Sequence, residues 1–309
     1  MTTTLFSAAT ASAATAPAAA PTTANNGRVF DAVRLWSPAD AGVELTVVVP
    51  FYNPGMALRP TVKRIASCLQ DAGVGYEVVA VSDGSTDGSE HTLAGIPGVR
   101  VIANPVNQGK GAALHTGFAA ARGTWVGFID ADGDIDPAHL MQYLQVARAN
   151  NPAGVYADKR HHLSTSGATG FRKLISIVYS TLVTLLFFMG IKDSQTGCKI
   201  FRRDVLAGLL PSLRERRFAF DLEFFVAAKA AGIRDFIGAP VRLEERTAGS
   251  TVGRSAIVRT IRDTFTIFTR LYVRREYRGL TVATTALPAP QVDADSAPFA
   301  AAPTLAEAA

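Results

Sequence analysis

The 309-residue chain is 48% hydrophobic and 18% charged, and its 31 Lys and Arg against 26 Asp and Glu give a formal net charge of +5. That balance suits one globular domain of about 200 to 250 residues with further segments at its ends. The positive excess points to an anionic partner, but zinc spacing, nucleic-acid motifs and solenoid-period repeats are absent, and two cysteines, Cys68 and Cys198, are too few for a disulfide framework.

Residues 1–27 are almost all small, and the first basic residue is Arg28. They lack the basic start and continuous apolar stretch of a secretory signal and are expected to be disordered. From Leu45 onward, short β-branched runs alternate with helical segments. "LTVVVP" (45–50), "YEVVAVS" (76–82), "VRVIA" (99–103) and "TWVGFID" (124–130) read as strands buried on both faces. Residues 58–72, 87–94 and 109–122 read as helices, the last stopped by Gly123. This alternation predicts an α/β fold with a mostly parallel sheet flanked by helices, and ligands at the carboxyl ends of its strands.

Further on, "LISIVYSTLVTLLFFMGI" (174–191) approaches the roughly 20 residues needed to cross a bilayer, yet it contains Ser176, Ser180, Thr181 and Thr184. Spanning, core and interfacial helices all fit it. In 252–278, Ile257, Ile261, Phe265, Phe268 and Tyr272 recur at helical spacing while seven arginines take other positions. Such a basic amphipathic helix suits an anionic membrane surface or packing on the domain. The expected organisation is a domain over 28–251, the amphipathic helix over 252–280 and a second disordered tail over 281–309.

Four polar, Gly-rich or acidic loops follow the four strands: "PFYNPG" (50–55), "SDGSTDGS" (82–89), "NPVNQGKGAA" (104–113) and the aspartates of "FIDADGDIDP" (128–137). All fall on one sheet edge. Lys110 opens a helix beside flexible amides, a sound anion site, although neither GxxxxGK[ST] nor GxGxxG is present. Asp83 ends a buried strand and needs partners, from loop amides, a nucleobase or a ribose. A helix-loop-helix calcium site counted from Asp130 would require Gly and Glu where Ile135 and Met141 stand, so that reading fails. Asp130 and Asp132 instead suit Mg²⁺ or Mn²⁺ that keeps sites open for water and phosphate oxygens, whereas Asp136 suits a cap for the helix beginning near Pro137.

"VVVPFYN", "VSDGSTDGS", "NQGKGAAL" and "FIDADGD" together resemble the successive donor-site motifs of family 2 inverting glycosyltransferases, whose nucleotide-binding fold is called GT-A. "DSQTGCKIFRRDVL" (193–206), "FAFDLEFF" (218–225) and "EERTAGSTV" (244–252) are similar to the dolichyl-phosphate and polyprenyl-phosphate sugar synthases within that family. The resemblance implies that Pro50, Tyr52, Asn53, Asp83 and Lys110 line the nucleotide pocket with Ala131 and Gln195. It also implies that Asp130 and Asp132 serve the diphosphate and metal with Asp134 as a third polar ligand, and that Asp221 and Glu223 face the sugar and acceptor. Two positions depart from the pattern: Pro54 stands where the family has Glu, and Thr251 where Lys is common.

The activity implied is inverting transfer of one hexose or N-acetylhexosamine from a UDP- or GDP-linked sugar to polyprenyl phosphate, making a lipid-linked sugar for envelope glycan or glycoprotein synthesis. The enzyme would be peripheral on the cytoplasmic face of the plasma membrane, alone or as a homo-oligomer. A phosphate acceptor needs cations rather than a strong base, and Arg172, Ser176, Arg202 and Arg246 are the candidates for that cradle, with Asp132 and Asp221 completing the catalytic set. A polysaccharide acceptor is the alternative, although the processive "QxxRW" motif has no counterpart around Trp36 or Trp125. A catalytically silent nucleotide-sugar-binding scaffold is the non-enzyme alternative.

Overall fold

The computed structural model describes residues 42–165, 170–191, 193–243 and 254–283, with the side chains of 170–175 and 254–257 outside that description. The tails over 1–27 and beyond 283, and Arg246, lie outside the described residues.

Seven strands form one sheet: β1 (Leu45–Phe51), β2 (Tyr76–Ser82), β3 (Val99–Ala103), β4 (Trp125–Ile129), β5 (Gly154–Ala157), β6 (Cys198–Arg202) and β7 (Phe236–Ala239). Their order is β3-β2-β1-β4-β6-β5-β7. The first four are mutually parallel where they pair, and β5 and β7 are parallel. Only β6 runs antiparallel to its neighbours β4 and β5.

The continuous apolar runs reflect burial on both faces. In β1, Val47 and Val49 face a core layer containing Ile65, Leu69, Leu140 and Leu144. Val48 faces the opposite layer with Leu114, Phe118, Phe128 and Phe220. Alternation of side chains across the pleat makes this division. Each such fully buried side chain contributes about 1.5–3 kcal/mol.

Helices cover the two faces: α1 (Leu58–Asp71), α2 (Lys110–Ala120), α3 (Ala138–Asn150), α4 (Gly170–Phe187), α5 (Arg203–Leu209), α6 (Phe220–Ala230) and α7 (Arg254–Phe268). The four expected strands and the helices after β1 and β3 are present. The helix expected over 87–94 is a short 3-10 turn, Ser89–Leu93, following Gly88 at φ 71°. Both cysteines are free, with Cys198 buried in β6 and Cys68 half-buried on α1.

No described helix is long and apolar enough to cross a membrane. α4 and α7 pack together through an edge-on Phe187–Phe268 contact and the Tyr179–Thr264 hydroxyl pair at 3.1 Å. The apolar positions of the C-terminal helix are therefore divided. Phe268 turns inward, whereas Val258, Ile261, Phe265 and Tyr272 remain exposed, as do Ile177, Val178, Leu185 and Phe188 on and just after α4.

Candidate active site

The four strand-end loops meet at one edge and are bound to one another. The loop after β1 is stitched to the loop after β2 by Asn53 N–H to Ser85 Oγ (3.1 Å), Thr86 N–H to Asn53 Oδ1 (2.8 Å) and Gly55 N–H to Asp87 Oδ2 (2.8 Å). Asn53 adopts φ 47° to make these contacts. Tyr52 beside it is 52% exposed, so its ring is open to a planar ligand. Pro50, expected in the pocket, is buried within β1 opposite Val81 and supports the loop from below.

Asp83 is buried, and its carboxylate accepts from Gly109 N–H (2.6 Å), Gln108 N–H (3.2 Å) and Asn104 Nδ2 (3.3 Å). Of the partners open to Asp83 from sequence, loop amides hold the carboxylate. It fixes the third loop and thereby the start of α2.

Lys110, the first residue of α2, reaches Asp130 Oδ1 at 2.6 Å. Burial alone would depress its ammonium, but Asp130, Asp221 and Asp132 outweigh that and hold it above the ordinary lysine value. Asp130 N–H donates to Gly197 O at 3.0 Å, and a Cβ at Gly197 would lie 1.8 Å from Asp130 Oδ2. Glycine is required there because the carboxylate fills the space.

Asp132 is exposed beside this pair, and its carboxyl sits above the usual range because of desolvation first and the Asp130 charge second. Asp134 donates its backbone N–H to Asp132 Oδ1 at 3.1 Å. Among the described residues no three His, Cys, Asp or Glu side chains form a metal cage, so the structure does not gather Asp134 into an all-protein site. Asp136 accepts from Ala138 N–H (2.8 Å) and caps α3 as expected. Ala131 is half-buried against the core layer.

Asp221 and Glu223 do not face the cleft. Asp221 is 4% exposed and accepts from Lys199 Nζ at 2.8 Å, while Lys199 is itself fully buried with its ammonium 4.8 Å from the Phe128 ring centroid. Lys110 lies 5.0 Å from that centroid. Asp221 thus supports the site's electrostatics from behind, a correction to its catalytic assignment. Glu223 is fully buried and contacts the C-terminal segment.

Arg202 is a second correction. β6 is antiparallel to β4, with Cys198 opposite Ile129 but Arg202 opposite Trp125, so Arg202 sits at the far end of the strand pair. Four residues put it about 13 Å from the Asp130 end. There its Nε bonds Asp204 at 2.7 Å.

Lys159 and Arg160, not selected from sequence, line a small cleft with Ser176, Tyr179, Ser180 and Gln195. Gln195 Nε2 is buried there without a hydrogen-bond partner. Asp193 ties the cleft together, accepting from Gln195 N–H (3.1 Å), Lys159 N–H (3.3 Å) and Thr196 Oγ1. The basic pair directly after the β5 run was the available signal. Ser176 is exposed on α4, the Arg172 side chain lies outside the described residues, and so does all of Arg246.

A mostly parallel α/β sheet whose polar loops converge on a Lys–Asp pair and an exposed aspartate has the form of an anion-binding strand edge. Residues 46–210, more than half the chain, match the family described as "Glycosyl transferase family 2", and the chain belongs to that family. It is 29% identical over 211 residues to dolichyl-phosphate beta-glucosyltransferase ALG5C of Trichomonas vaginalis, covering 63% of this chain and 62% of that protein. It is 32% identical over 204 residues to the human dolichyl-phosphate beta-glucosyltransferase, covering 60% and 63% respectively. The chain thus spans less than two thirds of the length of these relatives. Glucosyl-3-phosphoglycerate synthase from Mycobacterium tuberculosis, solved with Mn²⁺, UDP-glucose and phosphoglyceric acid, shares the fold with a TM-score of 0.57 at 19% identity, over 74% of this chain and 81% of that one.

Proposed function

We propose that the chain transfers one hexose or N-acetylhexosamine from a nucleotide sugar to polyprenyl phosphate with inversion at the anomeric carbon. The observation that carries this reading is the position of α4. Its Ser176 and Ser180 line the cleft beside Gln195, while Ile177, Val178 and Leu185 turn exposed apolar surface outward. A phosphate at the end of a long hydrocarbon chain needs such a polar cleft bordered by an apolar face. The names of the Trichomonas and human relatives support the same acceptor class.

In this reading the exposed Tyr52 ring meets the base, Lys110 and the first amides of α2 meet the diphosphate, and Gln195 Nε2 meets the sugar. Lys159, Arg160, Ser176 and Arg172 hold the acceptor phosphate in line with the anomeric carbon. The second phosphate pKa is about 6, so the acceptor reaches neutral pH already anionic and positioning takes the place of a general base. Asp221 is accordingly free to remain paired with Lys199.

The residues fit a divalent cation such as Mg²⁺ or Mn²⁺. Asp132 lies beside Asp130, whose charge adds to desolvation in raising its carboxyl, and two carboxylates at a strand end leave coordination sites for phosphate oxygens. Asp130 and Asp132 would hold it, and when bound it neutralises the departing diphosphate. The exposed apolar residues of α4 and α7, with their arginines, would lie on an anionic membrane surface, giving peripheral attachment.

The test is to incubate purified chain with polyprenyl phosphate, Mn²⁺ or Mg²⁺ and radiolabelled UDP-glucose, UDP-galactose, UDP-N-acetylgalactosamine or GDP-mannose in turn, then extract lipid. Label from one donor should become organic-soluble. No organic-soluble label from any donor would overturn the reading.

A further inference from the structure

α6 opens with two buried carboxylates that serve different sides of the molecule. Asp221 and Glu223 are two residues apart and so diverge around the helix. Asp221 turns to Lys199, whereas Glu223 is fully buried with four hydrogen bonds. Glu223 Oε2 accepts Arg214 N–H (2.8 Å) and Glu215 N–H (2.6 Å). Glu223 Oε1 accepts Arg270 Nη1 (2.8 Å) and Tyr277 O–H (2.6 Å). One carboxylate therefore joins the loop before α6 to the segment after α7.

That loop continues directly into the donor edge. Arg216 O accepts Ala112 N–H at 2.9 Å, in the first turn of α2. A Cβ on Gly109 would lie 2.7 Å from Arg216 O, and one on Gly111 would lie 2.8 Å from Arg217 O. The chain around Lys110 is thus pressed on both sides against residues 216 and 217, with no slack for the loop to shift alone. Between these glycines, Lys110 holds Asp130 at 2.6 Å.

We propose that Glu223 is a positioning residue that couples the C-terminal segment to the diphosphate side of the donor site, so that Arg270 and Tyr277 set nucleotide-diphosphate affinity through Lys110. The inference rests on the donor reading above and deepens it: the C-terminal segment is a brace of the donor site as well as a lipid-facing surface. A buried carboxylate that loses a donor has no water to replace it and must draw on its other partners, here the Arg214 and Glu215 amides. Burial, reinforced by the Glu223 charge, pushes the Tyr277 phenol up, so its proton stays available for donation. For Arg270 the Glu223 charge outweighs the opposing effect of burial and keeps the guanidinium charged.

The experiment measures UDP and GDP affinity of the full chain in Mn²⁺ without lipid, for the wild type, Tyr277→Phe, Lys110→Met and the double variant. Tyr277→Phe removes one hydroxyl and keeps the packed ring; Arg270→Lys provides a second break in the latch should that variant not fold. The expected result is a loss of roughly three- to tenfold for either latch variant in the wild-type background and little further loss in the Lys110→Met background. Equal losses in both backgrounds, or unchanged affinity in the wild-type background, would overturn the coupling while leaving the donor reading intact. A wild-type chain that binds neither UDP nor GDP would remove both.

Discussion

The donor edge and the α4–α7 layer are built by contrasting means. At the donor edge, four loops are joined by short hydrogen bonds, and Gly197 is kept free of a side chain by the Asp130 carboxylate. In the α4–α7 layer, one side is packed through Phe187, Thr264 and Ile267, while Ile177, Leu185, Ile261 and Phe265 are left in the open. In the first region these bonds tie the charged groups to neighbouring loops. The second leaves apolar area exposed, which the proposed function assigns to a membrane surface. Substitutions at the first should therefore affect chemistry without affecting attachment, and substitutions at the second the reverse.

The sharpest break is Asp132→Ala. Because Asp132 is exposed and makes only a local loop contact, the fold should survive with stability within about 1 kcal/mol, while turnover falls about 1,000-fold or more. Thermal melting and initial rates measured together check this. Gly197→Ala comes next. Its methyl group would be 1.8 Å from Asp130 Oδ2, so the loop or the carboxylate must move. A rate loss of about 100-fold is expected, with destabilisation of about 1–3 kcal/mol.

In the α4–α7 layer, Leu185→Asp combined with Phe265→Asp should weaken co-sedimentation with anionic vesicles about tenfold or more while nucleotide affinity is unchanged. Both positions are exposed, at 64% and 48%, so the folded core does not lose them. A parallel fall in nucleotide affinity would erase the contrast between the regions. Arg202→Ala should leave the acceptor KM unchanged and cost about 1 kcal/mol of stability, because its partner is Asp204 at the opposite end of the strand.

The smallest effect lies far from both regions. Burial would raise Glu77, but hydrogen bonds from Arg122 and Thr46 and the Arg100 charge outweigh it and hold the carboxyl below its ordinary value. A depressed folded-state value adds stability above the unfolded value and loses it as pH falls through the folded one. Glu77→Gln should therefore flatten the acid limb of a stability–pH curve below about pH 4.5.

The donor edge was legible in sequence because its information is local. Each strand is a short β-branched run, and each functional loop follows directly at the strand end, so order along the chain gives position in space. The roles of Asp130, Asp132, Asp136 and Lys110 could be framed from those neighbours alone. Arg202 failed for a physical reason: the reversal of β6 carries the end of "DSQTGCKIFR" away from the edge where it begins. For Asp83 the sequence left loop amides, a nucleobase and a ribose open, and Asp221 and Glu223 were placed on the sugar and acceptor side by the family resemblance. Their partners, the Gly109 amide, Lys199, Arg270 and Tyr277, are brought to them by tertiary packing that spacing does not encode. The apolar stripe of α7 was visible as a period, but which of its members turn inward depended on Phe187 of another helix.

The most direct test offers the chain two acceptors at once: polyprenyl phosphate in anionic vesicles, and 3-phosphoglycerate with soluble oligosaccharides in the water phase. A radiolabelled nucleotide sugar and Mn²⁺ complete the mixture. Label should partition into the organic phase, with Asp132→Ala abolishing it. Label that appears only in the aqueous phase, in phosphoglycerate or oligosaccharide, would contradict the assignment of the α4 cleft and its apolar border to a lipid phosphate.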